Sequence, residues 1–354
     1  MAQEEISHPI EEWVLSLTEP LQNIVKNNTF VFYECVTGPI RFTIAMPKES
    51  CFLRTLKSFY NVFSVDKVNT QLPIIYCLDE NFINQLPTFV FKKADLESIQ
   101  SKSRLSSQKF FINLYLEKDI IKIFNTVDDI YVFVFKDFDS LPSWEIYSPL
   151  KEFIHLVALK QDCWLAHAAS MGNDKEGVLL FGPGGNGKST TTIACLSEEF
   201  YTAGDDYVLI DAQSTPITAH AIYKTVKSFE TDIFSFPKVF QTFEQAEIPL
   251  TGKKVYICSN DREGPFVPSM KVKMLIGVRL LKNNDDTHND MSALNFQYFS
   301  LSTFSQIPFW FDKSKKIARK IFDHAPHDFF NFMPGKASLE KNVDAIRQII
   351  SKIN

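Results

Sequence analysis

The segment Gly177-Val178-Leu179-Leu180-Phe181-Gly182-Pro183-Gly184-Gly185-Asn186-Gly187-Lys188-Ser189 is the stretch of sequence from which the fold can be worked out. It begins with an apolar run that predicts a short buried strand, and it continues into the pattern G-x-x-x-x-G-K-[ST]. Glycines let the backbone turn so that successive N–H groups point at one anion, and the helix predicted from Thr190 presents its positive end to the same place. A strand, a phosphate-binding loop and a helix therefore follow one another here.

The residues of this loop predict a nucleotide site. Lys188 is placed to reach the β- and γ-phosphates, and the Ser189 hydroxyl is placed to ligate Mg²⁺. Lys188 is also expected to act in catalysis, because phosphoryl transfer depends on neutralising the charge of the phosphates. The expected nucleotide-binding residues of the loop are Gly182, Gly184, Gly185, Asn186, Gly187, Lys188, Ser189 and Thr190.

Two sets of carboxylates follow the loop, and each offers a second ligand for the metal. In one interpretation the apolar run 207–210 is a strand that ends in Asp211, as in the Walker B strand of motor-type ATPases and GTPases. In the other, Asp205 and Asp206 stand before that strand. Adjacent carboxylates resist joint ionisation unless a metal or another cation neutralises them, so this pair is the more informative of the two.

A histidine precedes the loop strand. His167 stands near the end of the apolar run 164–169, which predicts another buried strand. If the two strands are neighbours, the imidazole lies close to the acidic pair, and a neighbouring carboxylate would raise the pKa of His167 and orient its ring.

The chain divides into two predicted domains. Residues 1–140 form a smaller β-rich domain of unknown role, in which apolar runs typical of strands recur: Phe30–Phe32, Ile40–Met46, Leu72–Leu78 and Ile130–Phe135. The polar, proline-containing stretch Asp137–Ser143 predicts a linker. Residues 141–354 carry the loop and end in an amphipathic helix predicted over Leu339–Ile353.

Composition argues against several classes of protein. The 354 residues carry 37 Lys and Arg against 42 Asp and Glu, a net charge of −5, which argues against nucleic acid or an anionic membrane as a partner. No apolar run reaches the roughly 18 residues that span a bilayer, and the acidic start Met1–Glu5 is unlike a secretory signal. We therefore expect a cytoplasmic chain that begins here, and the six cysteines, which form no C-x-x-C pair, predict reduced thiols.

Five stretches together resemble one protein family. The stretches are Leu165–Ala169, Gly182–Thr191, Gly204–Leu209, Ala221–Lys227 and Ser302–Pro308. In order and spacing they are similar to the HPr kinase/phosphorylase superfamily, in particular to its branch of HPr-kinase-like serine kinases. The likeness covers about residues 145–354. It implies an α/β (α+β) protein whose C-terminal domain has the phosphoenolpyruvate-carboxykinase-like P-loop kinase fold, with ATP and Mg²⁺ as ligands.

The same resemblance implies roles for individual residues. His167, Asp205 and Asp206 would surround the γ-phosphate, with one carboxylate serving the metal and the other taking the proton from a hydroxyl. Successive residues at a strand entrance project to opposite sides, so we assign Asp205 to the metal and Asp206 to the base. Two further cations are candidates for the phosphates: Lys227 from the resemblance, and Arg279 because it interrupts the apolar run Met274–Leu281. The resemblance also implies self-association.

The sequence departs from the family in two respects. A segment like the Gly-Leu-Gly-Ile-Ile-Asn of true HPr kinases is missing, and the first 140 residues do not resemble their regulatory domain. These departures argue against the protein HPr as substrate and against the reverse phosphorylase reaction. The sequence thus predicts an ATP- and Mg²⁺-dependent kinase that phosphorylates a hydroxyl of a peptide, protein or small metabolite. A non-catalytic nucleotide sensor or partner protein of a biosynthetic gene cluster and an ordinary ATPase using Asp211 are the alternatives.

Overall fold

The computed structural model shows a mixed α/β protein with several sheets, divided into two compact units. The first unit comprises Met1–Val36, Arg41–Leu56 and Val62–Ile146, and the second comprises Thr37–Ile40, Lys57–Asn61 and Tyr147–Asn354. The residues described are 8–83, 85–86, 104–106, 109–115, 119–139, 141–229, 235–236, 238–246, 254–259, 264–280, 294–305, 312–332 and 336–352. Within these ranges, no helix is both long and apolar enough to cross a membrane.

The first unit is built on a mixed eight-stranded sheet in the order β3-β1-β2-β4-β8-β7-β6-β5. β2, β4 and β8 are parallel neighbours, while β8, β7, β6 and β5 pair antiparallel. Its strands are β1 Phe30–Thr37, β2 Ile40–Pro47, β3 Val62–Val65, β4 Ile74–Asp79, β5 Arg104–Ser106, β6 Phe110–Tyr115, β7 Ile120–Asn125 and β8 Ile130–Phe135. The helices that lie wholly or mainly in this unit are α1 His8–Leu15, α2 Thr18–Asn27, α3 Glu80–Ile83, α4 Ser143–Tyr147 and a 3₁₀ helix over Cys51–Ser58.

The four apolar runs identified in the sequence overlap strands β1, β2, β4 and β8. The apolar spacing of α1 and α2 was not recognised there. Both helices turn buried side chains toward the sheet, including Val14, Leu21 and Ile24, which share one core cluster with Ile74 and Val132. Burying this apolar surface is what holds the two short helices in place.

The second unit contains a seven-stranded sheet in the order β10-β11-β17-β13-β12-β9, with β18 paired to β17, and a small sheet β14-β16-β15. The strands are β9 Cys163–Ala166, β10 Ala168–Gly172, β11 Glu176–Phe181, β12 Val208–Asp211, β13 Thr218–Ala221, β14 Thr225–Ser228, β15 Phe243–Gln245, β16 Lys254–Cys258, β17 Ser269–Leu280 and β18 His327–Phe332. The helices are α5 Lys151–Lys160, α6 Lys188–Ser197, α7 Phe296–Phe304, α8 Asp312–His324 and α9 Lys336–Lys352, with a 3₁₀ helix over Val239–Thr242.

Residues 177–189 form most of β11, the glycine-rich loop and the start of α6. β11 lies between β10, its antiparallel neighbour, and β17, its parallel neighbour, and its residues after Glu176 are buried. α6 and α9 pack against the strands through a shared core that includes Ala194, Val343 and Ile346. The strand and helix predicted on either side of the loop are therefore confirmed, with the helix starting at Lys188 rather than at Thr190.

Candidate functional site

Strand pairing brings the glycine-rich loop and the acidic pair together at His167. β9 and β10 follow one another along the chain with only His167 between them. On one side Ala168 pairs with Phe181, the last residue of β11, and on the other Ala166 pairs with Val208, the first residue of β12. The carboxyl end of β11 and the amino end of β12 therefore meet across His167.

The glycine-rich loop is fastened to the end of the neighbouring strand β17. The Asn186 Nδ2 donates to the Tyr298 hydroxyl at 3.0 Å and lies 3.3 Å from the Val278 carbonyl, to which the Tyr298 hydroxyl itself donates at 2.5 Å. A Cβ at Gly182 would lie 2.6 Å from the same Val278 oxygen, so only glycine fits where the loop leaves the sheet. Gly187, with φ of 85°, provides the left-handed residue from which α6 starts.

Lys188 is the first residue of α6 and only 6 % exposed. Its Nζ donates to the Gly182 carbonyl at 2.6 Å and to the Pro183 carbonyl at 3.3 Å. The ammonium group is thus held at the inner side of the loop, which places a fixed positive charge under its glycines.

Asp205 is 1 % exposed and lies beside Ser189 in the first turn of α6. Its Oδ2 accepts a hydrogen bond from the Lys227 backbone N–H at 3.2 Å, whereas its Oδ1 is buried without a hydrogen-bond partner among the described residues. Burial and the charge of Asp206 raise its pKa, against the opposing effects of the Lys227 N–H and the Ser189 hydroxyl. A buried carboxylate oxygen that lacks a donor and lies near a hydroxyl is suited to binding a small cation.

Asp206 sits in a different environment. Its Oδ2 accepts from the Lys227 Nζ at 2.6 Å and from the Ser148 hydroxyl at 3.3 Å, and its Oδ1 lies 3.4 Å from the His167 Nε2. Burial alone would raise its pKa, but Lys227 and His167 hold the pKa well below its ordinary value. Asp206 is therefore the carboxylate of the pair with the lower pKa.

His167 is oriented by the last turn of α7. Its Nδ1 lies 2.8 Å from the Ser302 carbonyl, and since a carbonyl can only accept, Nδ1 carries the hydrogen. Its backbone N–H donates to the Thr303 hydroxyl at 2.9 Å. Asp206 acts to raise the pKa of His167, as the sequence predicts, but burial and the Lys188 charge outweigh it and lower the pKa overall.

Lys227 projects from β14 into this cluster. Its ammonium lies 3.5 Å from the centre of the Tyr147 ring as well as beside Asp206. Burial would lower its pKa, but the negative charge of Asp206 and the Tyr147 hydroxyl raise it above the ordinary lysine value. Lys227 is therefore a charged partner of Asp206, which places this predicted cation directly at the acidic pair.

The remaining residues considered in the sequence are Arg279, Thr190 and Asp211. Arg279 follows Val278 near the end of β17, on the loop side, and its charge acts on the Tyr298 hydroxyl. Thr190 is half-buried in the first turn of α6. Asp211 lies at the opposite end of β12 from Val208, about 10 Å along the strand, and accepts from the Gln213 N–H at 2.8 Å.

These contacts favour the pair Asp205 and Asp206 over Asp211 as the acidic part of the site. No cluster of three or more His, Cys, Asp or Glu side chains arranged for a metal occurs in the described part of the chain, so a metal here would depend on few protein ligands.

Of the predicted segments, residues 1–7, Ser140, Leu281, Gln306–Pro308 and Ile353 lie outside the described residues.

Sequence reasoning missed Tyr147, Ser148, Tyr298 and Thr303, all of which contact the site. Thr303 lies within a stretch that carried the resemblance, but nothing in that stretch indicated a contact with His167. The other residues lie in segments without a motif.

In comparisons with known proteins, no family model matches the chain and no curated protein is significantly similar to it.

Proposed function

We propose that this protein is an ATP- and Mg²⁺-dependent kinase that transfers the γ-phosphoryl group to a hydroxyl, and that its second unit has the phosphoenolpyruvate-carboxykinase-like P-loop fold. One observation carries the proposal. A glycine-rich loop with Lys188 under it lies beside two carboxylates: Asp206 is partly exposed and held ionised by Lys227, and Asp205 is buried and keeps an oxygen without a hydrogen-bond partner among the described residues. Phosphoryl transfer needs positioning and charge neutralisation more than covalent chemistry, and these groups supply both.

In this proposal the loop from Gly182 to Ser189 binds the phosphates. Its N–H groups and the N-terminus of α6 surround the anion, and the Lys188 Nζ exchanges its two carbonyl partners for phosphate oxygens. Lys227 and Arg279 are the further cations. Lys227 is the better placed of the two for the developing charge, because it already lies at Asp206.

The residues at the start of α6 fit a magnesium ion. Ser189 and Asp205 would hold it, since the buried Asp205 Oδ1 lacks a donor and the Ser189 hydroxyl is adjacent. Mg²⁺ in nucleotide sites is commonly bound by one or two protein oxygens together with phosphates and waters. When bound, the ion neutralises charge on the phosphates.

Asp206 is proposed as the general base. Lys227 and Ser148 occupy its Oδ2, which leaves the Oδ1, on the His167 side, to accept the proton of the acceptor hydroxyl. The oxygen of that hydroxyl forms a bond to the γ-phosphorus as the bond from phosphorus to ADP breaks. The acceptor is a hydroxyl of a peptide, a protein or a small metabolite.

A phosphate-transfer assay tests the proposal. The protein is incubated with Mg²⁺, ATP labelled at the γ-phosphate and fractionated host lysate, alongside Lys188→Ala, Asp206→Asn and Asp211→Asn. We expect transfer of label to a discrete species by the wild type, loss of transfer by at least about 100-fold in the first two variants, and near-normal transfer by Asp211→Asn.

Two results would contradict this assignment. Loss of transfer in Asp211→Asn with activity retained in Asp206→Asn would favour an ordinary ATPase arrangement. Binding of ATP by the wild type but not by Lys188→Ala, with no labelled product from any fraction, would favour a nucleotide sensor instead.

A further inference from the structure

Helix α7 contacts both halves of the candidate site, although it lies more than 100 residues after the loop in the chain. Its first turn carries Tyr298, which binds Asn186 of the loop, and its last turn carries Ser302 and Thr303, which bind His167. At 1.5 Å per residue, Tyr298 and Thr303 are about 7.5 Å apart along the helix axis. One rigid element therefore spans from the loop to the histidine beside Asp206.

The contact of α7 with the loop is a complete hydrogen-bond chain. The Tyr298 hydroxyl accepts from the Asn186 Nδ2 and donates to the Val278 carbonyl, so both of its functions are satisfied. The Asn295 side chain in turn caps α7 by accepting from the Tyr298 backbone N–H at 2.9 Å. The Asn295 cap thus holds the backbone of Tyr298 in the first turn of α7. The Tyr298 hydroxyl in turn holds Asn186 of the loop at the end of β17.

The contact of α7 with His167 uses the other end of the helix. Carbonyl groups in the last turn of a helix lack intrahelical donors, and they form its negative end. The Ser302 carbonyl accepts from the His167 Nδ1, and the fully buried Thr303 hydroxyl accepts from the His167 backbone N–H. Together they set the position of His167 and keep a hydrogen on its Nδ1, and the Nε2 lies 3.4 Å from the Asp206 Oδ1.

We propose that Tyr298 and Thr303 are positioning residues of the phosphotransfer site: Tyr298 holds the glycine-rich loop in its nucleotide-binding shape through Asn186, and Thr303 holds His167 against the base Asp206. This inference rests on the proposed function. The two residues act on different steps, because the loop binds the nucleotide whereas His167 and Asp206 act when the acceptor hydroxyl loses its proton.

The first test replaces the Tyr298 hydroxyl alone. Tyr298→Phe is expected to raise the Kd for ATP about three- to tenfold, the effect of losing a neutral hydrogen bond, with little change in kcat. Tyr201→Phe is the matched control, because the Tyr201 side chain is 39 % exposed and its backbone pairs with Gly172. An unchanged Kd in Tyr298→Phe would overturn this half of the proposal.

The second test uses a conservative pair at Thr303. Thr303→Val keeps the shape but removes the acceptor of the His167 N–H, and we expect kcat to fall about tenfold or more with the Kd for ATP unchanged. Thr303→Ser keeps the hydroxyl and is expected to restore most of kcat. Equal losses in both variants, or a loss confined to ATP binding, would indicate a merely structural residue and overturn this half.

A third measurement does not depend on activity. In protein with ¹⁵N-labelled histidine, NMR in the absence of nucleotide is expected to show the His167 Nδ1 protonated, with the signal assigned by its loss in His167→Gln. A hydrogen on Nε2 with Nδ1 bare would contradict the proposal.

If the wild type binds ATP and transfers phosphate but neither variant behaves as expected, the inference fails while the proposed function stands. If the wild type binds no ATP, the proposed function and the role of Tyr298 both fail, and the NMR result still decides the contact with His167.

Discussion

Asp205 and Asp206 are adjacent and chemically identical, yet their surroundings move their pKa values in opposite directions. Burial and the neighbouring charge raise the pKa of Asp205, and the Lys227 ammonium with His167 depresses that of Asp206 against burial. Because the backbone directs the two side chains to different sides, one meets Ser189 and the other meets Lys227. A pair of carboxylates with separated pKa values is what a site needs for two different tasks.

A test at the scale of one residue is Lys227→Met, which keeps the length of the side chain and removes its charge. Asp206 then loses its main cation, so its pKa rises and the acidic limb of the pH profile of phosphate transfer moves to higher pH. Because the folded-state pKa of Asp206 is depressed, its contribution to stability is present above the ordinary carboxylate pKa and is lost as pH falls through the folded value. Denaturant unfolding near neutral pH should show a loss of about 1.5–3 kcal/mol, the usual worth of a hydrogen bond to a charged group.

The control for this variant is Lys271→Met, because Lys271 is exposed on β17. It should leave both the pH profile and the free energy of unfolding unchanged. An acidic limb that stays in place in Lys227→Met would mean that Asp206 is not the titrating base.

At the scale of elements, the parallel pairing of β11 with β17 determines where the loop leaves the sheet. Phe181 and Gly277 are the last pair in the register of the two strands. The next residues, Gly182 and Val278, therefore lie side by side where this pairing ends. The Val278 carbonyl is then free of a strand partner on this side and accepts from the Tyr298 hydroxyl. The loop is therefore held by strand register at its first residue and by α7 at Asn186.

Two glycines of the loop provide a matched test at this scale. In Gly182→Ala the new Cβ would lie 2.6 Å from the Val278 oxygen, and the strand ends must separate, which should lower the free energy of unfolding by about 1–3 kcal/mol. Gly184→Ala meets no atom within 4 Å and should leave it unchanged in the protein without ligand. Urea titration measures both variants, and equal stabilities would mean that the strand pairing does not restrain the loop.

At the scale of the whole molecule, the two units are not separated by a single point in the sequence. The sequence predicted one boundary after residue 140, whereas the structure changes units between Ile146 and Tyr147, and the earlier segments Thr37–Ile40 and Lys57–Asn61 belong with the second unit. Phe59, only 1 % exposed, lies 5.4 Å from the Tyr223 ring, and the Tyr60 N–H donates to the Ile222 carbonyl at 2.8 Å. The second unit is thus completed by residues that no motif marks.

This arrangement predicts that a substitution early in the chain acts on the second unit. Phe59→Ala should cost about 3–5 kcal/mol, as for other buried aromatic side chains, and hydrogen exchange should accelerate at the backbone N–H of Lys224, which donates to the Ser58 carbonyl. Phe63→Ala is the control, because Phe63 is 44 % exposed and should matter little. If Phe59→Ala accelerates exchange in β1–β8 alone, Phe59 belongs energetically to the first unit.

The sequence by itself was enough to locate the strand, the glycine-rich loop and α6, and four strands of the first unit. These features are local: apolar spacing, glycine and a helix start act on neighbouring residues, so they can be read along the chain. The order of the strands and the helices α1 and α2 could not be read in this way, because only packing against distant strands makes those helices stable.

Tertiary structure alone decided which residues meet around the loop. Asp206 precedes β12 and Asp211 ends it, and the sequence alone did not decide which of the two belongs to the site. The pairing of β9 and β10 with two different strands places Asp206 at His167 and Asp211 at the far end of β12. Tyr298 and Thr303 reach the site because α7 packs there. Contacts between residues so far apart in the chain depend on strand register and helix packing, which leave no local pattern in the amino-acid sequence.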